Sequence, residues 1–256
     1  FLILGLDRLL YRGPPVEGAL HRHHALQLAL GLDAPLSLAT GADGVGETAA
    51  GFVVAADTPH RLTGGAPQMA LRYLEPESAD GQRLHSVLRS PVQACPSVPT
   101  SLRCALTQFD FHAAPEQLGA AFDAVCADWL TALGAATAAT RPAMDVRIAD
   151  TLATLAAAPH QRHTAAALAQ RVQLSPDRLM HLFAATTGLP LRRYALWLKL
   201  KIAVRTALEG ASLTEAAHAA GFADSAHLSH SFKAMFGLAP RFLFEPRGAL
   251  TVRLCG

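Results

Sequence analysis

Gly221-Phe222-Ala223-Asp224-Ser225-Ala226-His227-Leu228-Ser229-His230-Ser231-Phe232 reads as a tight turn running into a short helix. Glycine takes a left-handed backbone at little cost, so Gly221 suits the end of a preceding helix. Asp224 or Ser225 suits the N-cap of the next, because a short side-chain oxygen accepts from the free amides of the first turn. Leu228, Phe232 and Phe236 recur at four-residue steps and mark one buried face. Ser225, Ala226, His227, Ser229 and His230 fall on the other side. A small helix with a buried seam and a polar outer face fits the major groove of DNA.

The pattern occurs twice. Leu179, Phe183, Gly188 and Leu189 precede Leu228, Phe232, Gly237 and Leu238 by a constant 49 residues. Upstream, Leu168-Ala169 match Ala216-Ala217 at an offset of 48, so the second turn carries one extra residue. Each copy runs alanine-rich helix, turn, second helix, Gly-Leu and a proline. Two copies in register with the same terminator signal a repeated unit, against the plainer alternative of two helical hairpins that merely pack.

The stretches "LAQRVQLSPDRLMHLFAATTGLPLRRYALWLKLKIAVRTALEG" (Leu168 to Gly210) and "SLTEAAHAAGFADSAHLSHSFKAMFGLAP" (Ser212 to Pro240) resemble the AraC/XylS family of bacterial transcription regulators. The resemblance runs over about 100 residues, Met144 to Phe244. It implies an all-helical module with two helix-turn-helix units on one long helix, here Leu191 to Leu208. The apolar positions Tyr194, Trp197, Leu198, Ile202, Ala203 and Leu208 suit a buried seam. The resemblance further implies promoter DNA, RNA polymerase and a small effector as partners, a homodimer, and a cytoplasmic location.

Within each second helix, the residues between the buried leucine and phenylalanine are the base-reading candidates. They are Asp177, Arg178, Met180 and His181 in the first unit, and Ser225, Ala226, His227, Ser229 and His230 in the second. Asp177 suits acceptance from cytosine or, equally, a helix cap. The family usually carries arginine at the positions of His181 and His230; histidine is shorter and charged only below a pKa of ~6.5. Arg171, Arg192, Arg193, Lys199, Lys201, Lys233 and Arg241 are phosphate candidates, which position a module without reading sequence.

The formal charge of +2 conceals a split. Residues 1–144 hold 9 Lys+Arg and 13 Asp+Glu, a net of −4; residues 145–256 hold 13 and 7, a net of +6. A basic module attracts a polyanion by releasing its counterions. No apolar run reaches the ~18 residues of a membrane span. The opening Phe-Leu-Ile-Leu-Gly-Leu is short, lacks a basic leader and does not read as a signal peptide; with no initiator methionine, this end reads as trimmed. Cys95, Cys104, Cys126 and Cys255 lack Cys-x-x-Cys spacing and read as reduced thiols, with Cys95 and Cys104 as the one candidate redox pair.

Residues 1–92 read as a strand-rich sensor, a sandwich or small barrel. Turn signals recur at Gly13-Pro14-Pro15, Gly31-Leu32-Asp33, Gly41-Ala42-Asp43-Gly44, Asp57-Thr58-Pro59 and Gly64-Gly65. Leu26–Leu30, Gly51–Ala55 and Met69–Leu74 are the expected strands. In a strand, His21 and His23 share a face. With Gln27 and His60 they resemble the first metal-binding motif of the cupin barrel, with Gln27 where that motif has a carboxylate. Three readings stand: an effector pocket without metal, a site for a divalent metal ion, or structural histidines.

Residues 93–140 read as a linker followed by an amphipathic helix. Gly81–Ser90 suits a short helix before it, and Pro91–Pro99 an irregular link. Over Pro115–Leu133, the residues Leu118, Phe122, Val125, Cys126, Trp129, Leu130 and Leu133 form one stripe. The stripe suits either a dimer, as the resemblance implies, or packing on its own barrel. Gly134–Pro142 suits an interdomain linker. Met144–Ala158 suits a helix with Val146, Ile148, Leu152 and Leu155 inside.

The expected fold class is therefore α+β and multidomain: a cupin-like barrel with a dimerisation helix, then an all-α domain with two helix-turn-helix units over 144–244. The expected function is a non-enzymatic, effector-controlled, sequence-specific DNA-binding regulator needing no cofactor. The alternative is a metal-dependent cupin enzyme fused to a DNA-binding module. No nucleophile-base pair, phosphate loop or spaced carboxylate pair supports catalysis.

Overall fold

The computed structural model describes residues 2–4, 8–15, 18–41, 45–138, 144–240 and 252–254. The chain divides into two compact units, Phe1–Arg141 with Arg247–Gly256, and Pro142–Pro246.

The first unit is built on β1 (Leu2–Leu4), β2 (Arg8–Gly13), β3 (Leu26–Gly31), β4 (Leu36–Ala39), β5 (Gly46–Ala49), β6 (Gly51–Val54), β7 (Arg61–Gly65) and β8 (Met69–Leu74). Then come α1 (Ala79–Val87), β9 (Val92–Cys95), α2 (Thr100–Thr107), α3 (Pro115–Ala132) and, near the chain end, β10 (Val252–Leu254). The strands form a seven-stranded sheet in the order β10-β1-β2-β8-β3-β6-β9 and a three-stranded sheet β5-β4-β7.

Strand alternation divides the large sheet into two faces. Leu26, Leu28 and Leu30 of β3 pair with Leu74, Arg72 and Ala70 of β8, and Arg72 pairs with Leu10 of β2. This face packs on α2 and α3: Leu102, Leu106, Leu118, Phe122 and Trp129 share one core with Leu10, Leu26, Leu28 and Leu30. Gln27 and Ala29 face the other way, in register with Tyr73 and Leu71. All six residues of β3 are buried, so both faces are covered. That explains a continuous Leu-Gln-Leu-Ala-Leu-Gly run where a half-exposed strand would alternate.

Two expectations are corrected by this unit. Residues 91–99 are not simply irregular: β9 pairs antiparallel with β6, Gly51 opposite Cys95. Its residues are all half-buried, as suits a short edge strand, so no apolar run announces it. The stripe of α3 is not a free dimer face. Leu118, Phe122, Val125, Cys126, Trp129 and Leu130 are buried in their own unit, and Ala120, Ala124 and Asp128 are exposed.

The second unit comprises α4 (Val146–Ala157), α5 (Ala165–Arg171), α6 (Pro176–Thr187), α7 (Leu191–Leu208), α8 (Leu213–Ala219) and α9 (Ser225–Phe236). Side chains of Asp145, Thr164, Ser175, Ser212 and Asp224 cap α4, α5, α6, α8 and α9, each accepting from a first-turn amide. Gly188 and Gly237 close α6 and α9 in left-handed conformation, φ 78° and 71°. Val146, expected inside, is 77% exposed. It lies two residues from buried Ile148, ~200° around the helix, and so faces away from the core.

The repeat extends to the backbone. Leu174 N–H donates to the Ala169 carbonyl and Phe222 N–H to the Ala217 carbonyl, each at 2.9 Å and 48 residues apart. Ser175 and Asp224 then cap at an offset of 49, so the extra residue lies between Phe222 and Asp224. Helix α7 serves both halves. Tyr194 and Leu198 join the core of Leu168, Leu179 and Phe183, whereas the Trp197 ring lies 5.8 Å from Phe236. Of the expected seam, Tyr194, Trp197, Leu198 and Ala203 are buried, and Ile202 and Leu208 half-buried.

Candidate functional site

In the first helix-turn-helix, Leu179 and Phe183 anchor α6 in the core and leave Asp177, Arg178, Met180 and His181 exposed. The cap is Ser175, which accepts from Arg178 N–H at 3.3 Å, so Asp177 is not the cap but a first-turn acid favoured by the helix dipole. In the second, Leu228 and Phe232 anchor α9, with Ala226, His227 and His230 exposed or half-exposed beside Ser225 and Ser229. Asp224 accepts from His227 N–H at 2.7 Å. The His227 ring packs edge-on to Phe222 with centroids 5.2 Å apart, which steadies it against the turn. His230 and Lys233 line a groove of about 300 Å³ with Leu213, Ala239 and Pro240.

The basic residues differ in their surroundings. Arg171 forks onto Asp150 of α4, Nε and Nη2 donating at 2.7 and 2.9 Å. Lys199 donates to the Gly221 carbonyl at 2.8 Å, so it ties α7 to the second turn. Arg192 and Lys233 are exposed, and Arg193 and Lys201 half-buried. Arg241 lies outside the described residues.

In the N-terminal unit, His21, His23 and His60 meet where the chain enters β3 and β7. An isolated bridge pairs His21 with His60, N–H to carbonyl in both directions at 3.1 and 2.9 Å. The ring nitrogens of the three histidines approach within 4.8 Å of one another. Each Nδ1–H donates to a backbone carbonyl: His21 to Ala19 (2.9 Å), His23 to Ala25 and His60 to Thr58 (both 2.8 Å). That tautomer puts the lone pair on Nε2. Burial lowers the pKa of all three rings. His23 falls well below 6.5, pushed further by His60 and His21, and His60 falls to about 4, pushed further by His21. Neutral His23 and His60 therefore present lone pairs to the Gln27 terminal amide, whose Oε1 lies 3.1 Å from Nε2 of both. Turning the amide over offers its NH2 group to both rings and satisfies them. A borderline divalent cation fits the same set, with the Nε2 atoms and the Gln27 oxygen as donors and the backbone carbonyls fixing each ring through its Nδ1–H. A second cluster, His24 with Glu75 and Glu77, lies next in sequence; His24 Nε2 is 2.8 Å from Glu77. Sequence reading missed it, because residues so far apart in the chain carry no spacing signal.

Residues 168–245 match the helix-turn-helix domain family. No curated protein matches the chain. An apo variant of ToxT from Vibrio cholerae aligns over 93% of this chain and 97% of its own, with TM-score 0.61 at 10% identity. Unsaturated-fatty-acid-bound ToxT from the same organism aligns over 96% and 98%, with TM-score 0.59 at 11% identity. At these identities the likeness is one of fold.

Proposed function

We propose that this chain, whose C-terminal module is an AraC-type helix-turn-helix domain, is a DNA-binding transcription regulator controlled by a small effector in its N-terminal unit. The observation that carries the reading is the doubled cap-turn-helix: two short helices with buried seams and polar outer faces, joined by α7. Such helices enter successive major grooves ~34 Å apart on one face of the duplex. Asp177, Arg178, Met180 and His181 read one half-site, and Ser225, Ala226, His227, Ser229 and His230 the other. Arg192, Arg193, Lys201 and Lys233 contact phosphates, and Arg171 joins them by exchanging Asp150 for a phosphate. Lys199 supports the second turn instead.

The N-terminal unit binds its ligand without turning it over, and His21, His23, Gln27 and His60 supply polar anchors for it. The fatty acid bound by ToxT supports small-molecule control. RNA polymerase is the partner on the promoter, and the protein acts in the cytoplasm. A homodimer uses a surface other than the buried stripe of α3. Selection of bound sequences from random DNA, with and without candidate metabolites, tests the reading. A motif with two half-sites one turn apart is expected, and recovery of no motif overturns it.

The convergence of ring nitrogens from three buried or half-buried histidines favours a second reading of the input, a divalent metal ion as signal. Elemental analysis of the purified protein decides this: metal retained by the native chain and lost in His23→Ala supports it, and its absence after metal supplementation excludes it.

A further inference from the structure

On the helix-bearing face of the large sheet, away from the histidines, a cavity of about 410 Å³ lies between β8, α1 and α3. Leu74, Phe122 and Leu130 line it, together with the charged Arg72, Asp80, Arg83 and Asp123. Arg72 is 2% exposed. Its Nη1 donates to the Cys126 carbonyl and its Nη2 to Asp80 Oδ2, each at 2.8 Å. Its Nε–H is equally buried and has no acceptor among the described residues. A buried donor left unmet is costly, and native structures rarely carry one without a use.

A guanidinium offers Nε–H and Nη2–H as a parallel fork that matches both oxygens of a carboxylate. Asp80 fills only one tine; its Oδ1 turns to Arg83 Nη1 at 3.5 Å. We propose that this cavity binds a small organic carboxylate. Its two oxygens take the Nε and Nη2 tines of Arg72, and its apolar body lies against Phe122 and Leu130. Asp80, whose side chain is 36% exposed, swings to Arg83 and water as the ligand enters. An alcohol brings one acceptor and no charge to displace Asp80, and an amine leaves the Nε–H unmet. The site is separate from the histidine cluster, because Arg72 and Tyr73 are successive residues of β8 and face opposite ways. Its regulatory meaning rests on the effector-controlled reading above; the binding itself does not.

Calorimetry on the full chain with octanoate, octanol and octylamine tests the proposal. Octanoate is expected to bind and the other two not. Arg72→Lys keeps the charge but loses the fork, and should weaken octanoate by about tenfold or more. Asp80→Asn removes the competing carboxylate and should tighten it. Ala127→Phe, at an exposed helix position, fills the cavity and should abolish binding. If Arg72→Lys fails to fold, the Asp80 and Ala127 variants still decide. No octanoate binding at millimolar concentration, equal binding of octanol, or wild-type affinity in both variants overturns the proposal. None of these results depends on DNA, so the DNA-reading assignment stands or falls separately.

Discussion

The ionisation of His60 is bound to the fold. Burial first, then the neighbouring His21, lowers its pKa from 6.5 to about 4. The unfolded chain therefore binds a proton between those values and the folded chain does not. The stabilisation is complete above pH 6.5 and is lost as pH falls toward 4. A shift of this size corresponds to roughly 3 kcal/mol, and His23 shifts in the same direction. Urea unfolding at pH 7 and pH 5 should show the loss, and His60→Gln should reduce the difference. A pH-independent midpoint would contradict neutral buried rings. Arg171 makes the opposite kind of case, an exposed charge with a partner that DNA must displace. Asp150→Ala frees its guanidinium in advance and should tighten DNA binding, whereas Arg171→Ala should make the salt dependence shallower by about 0.9 in log–log slope for the lost phosphate contact. An unchanged slope would remove Arg171 from the interface. His230→Ala should cost ~1–3 kcal/mol at one base position and little elsewhere; uniform weakening on all sequences would rule out base reading.

Among the elements, the two turns show what a sequence discloses. Gln173 and Gly221 occupy the same place in the repeat, both at positive φ, 55° and 73°. Gly221 is readable as a turn because glycine advertises it. Gln173 is readable only through the repeat. The glycine is required by more than conformation: a Cβ there would sit 2.5 Å from the His160 carbonyl oxygen. Gly221→Ala should therefore destabilise the protein by roughly 1–3 kcal/mol from the backbone alone, with more from the clash. Thermal unfolding checks this, and a melting point at the wild-type value would mean the turn relaxes. The helices are legible because caps, glycines and four-residue steps coincide. Strands β4, β5, β7 and β9 are not: each has only four or five residues, and Gly64 and Gly65 inside β7 read as a turn. The stripe of α3 is legible as a stripe but not by its partner, since an apolar helix face looks the same whether a sheet or a second subunit covers it.

For the whole molecule, the sequence shows an acidic N-terminal part followed by a basic helix-turn-helix module, without joining them. The histidines are visible because three of them lie within four residues, and His60 is assigned to them through the cupin likeness. Arg72 is invisible, because a lone arginine in an apolar strand gives no sign of the cavity beside it. On the proposed reading, what joins the two units is thermodynamic: a ligand shifts DNA binding only through its different affinity for the free and DNA-bound protein. The coupling is reciprocal. If a ligand of the N-terminal unit changes affinity for the selected DNA by some factor, that DNA must change affinity for the ligand by the same factor. Titrating the ligand into free protein and into the protein–DNA complex, and DNA into both ligand states, gives the four constants. Their closure is expected at fixed salt and protein concentration. A cycle that closes only when protein concentration is held constant, and shifts when it is varied, would show that subunit association carries the signal. A cycle with no coupling at all would leave the chain a DNA-binding protein whose N-terminal ligand does not govern it.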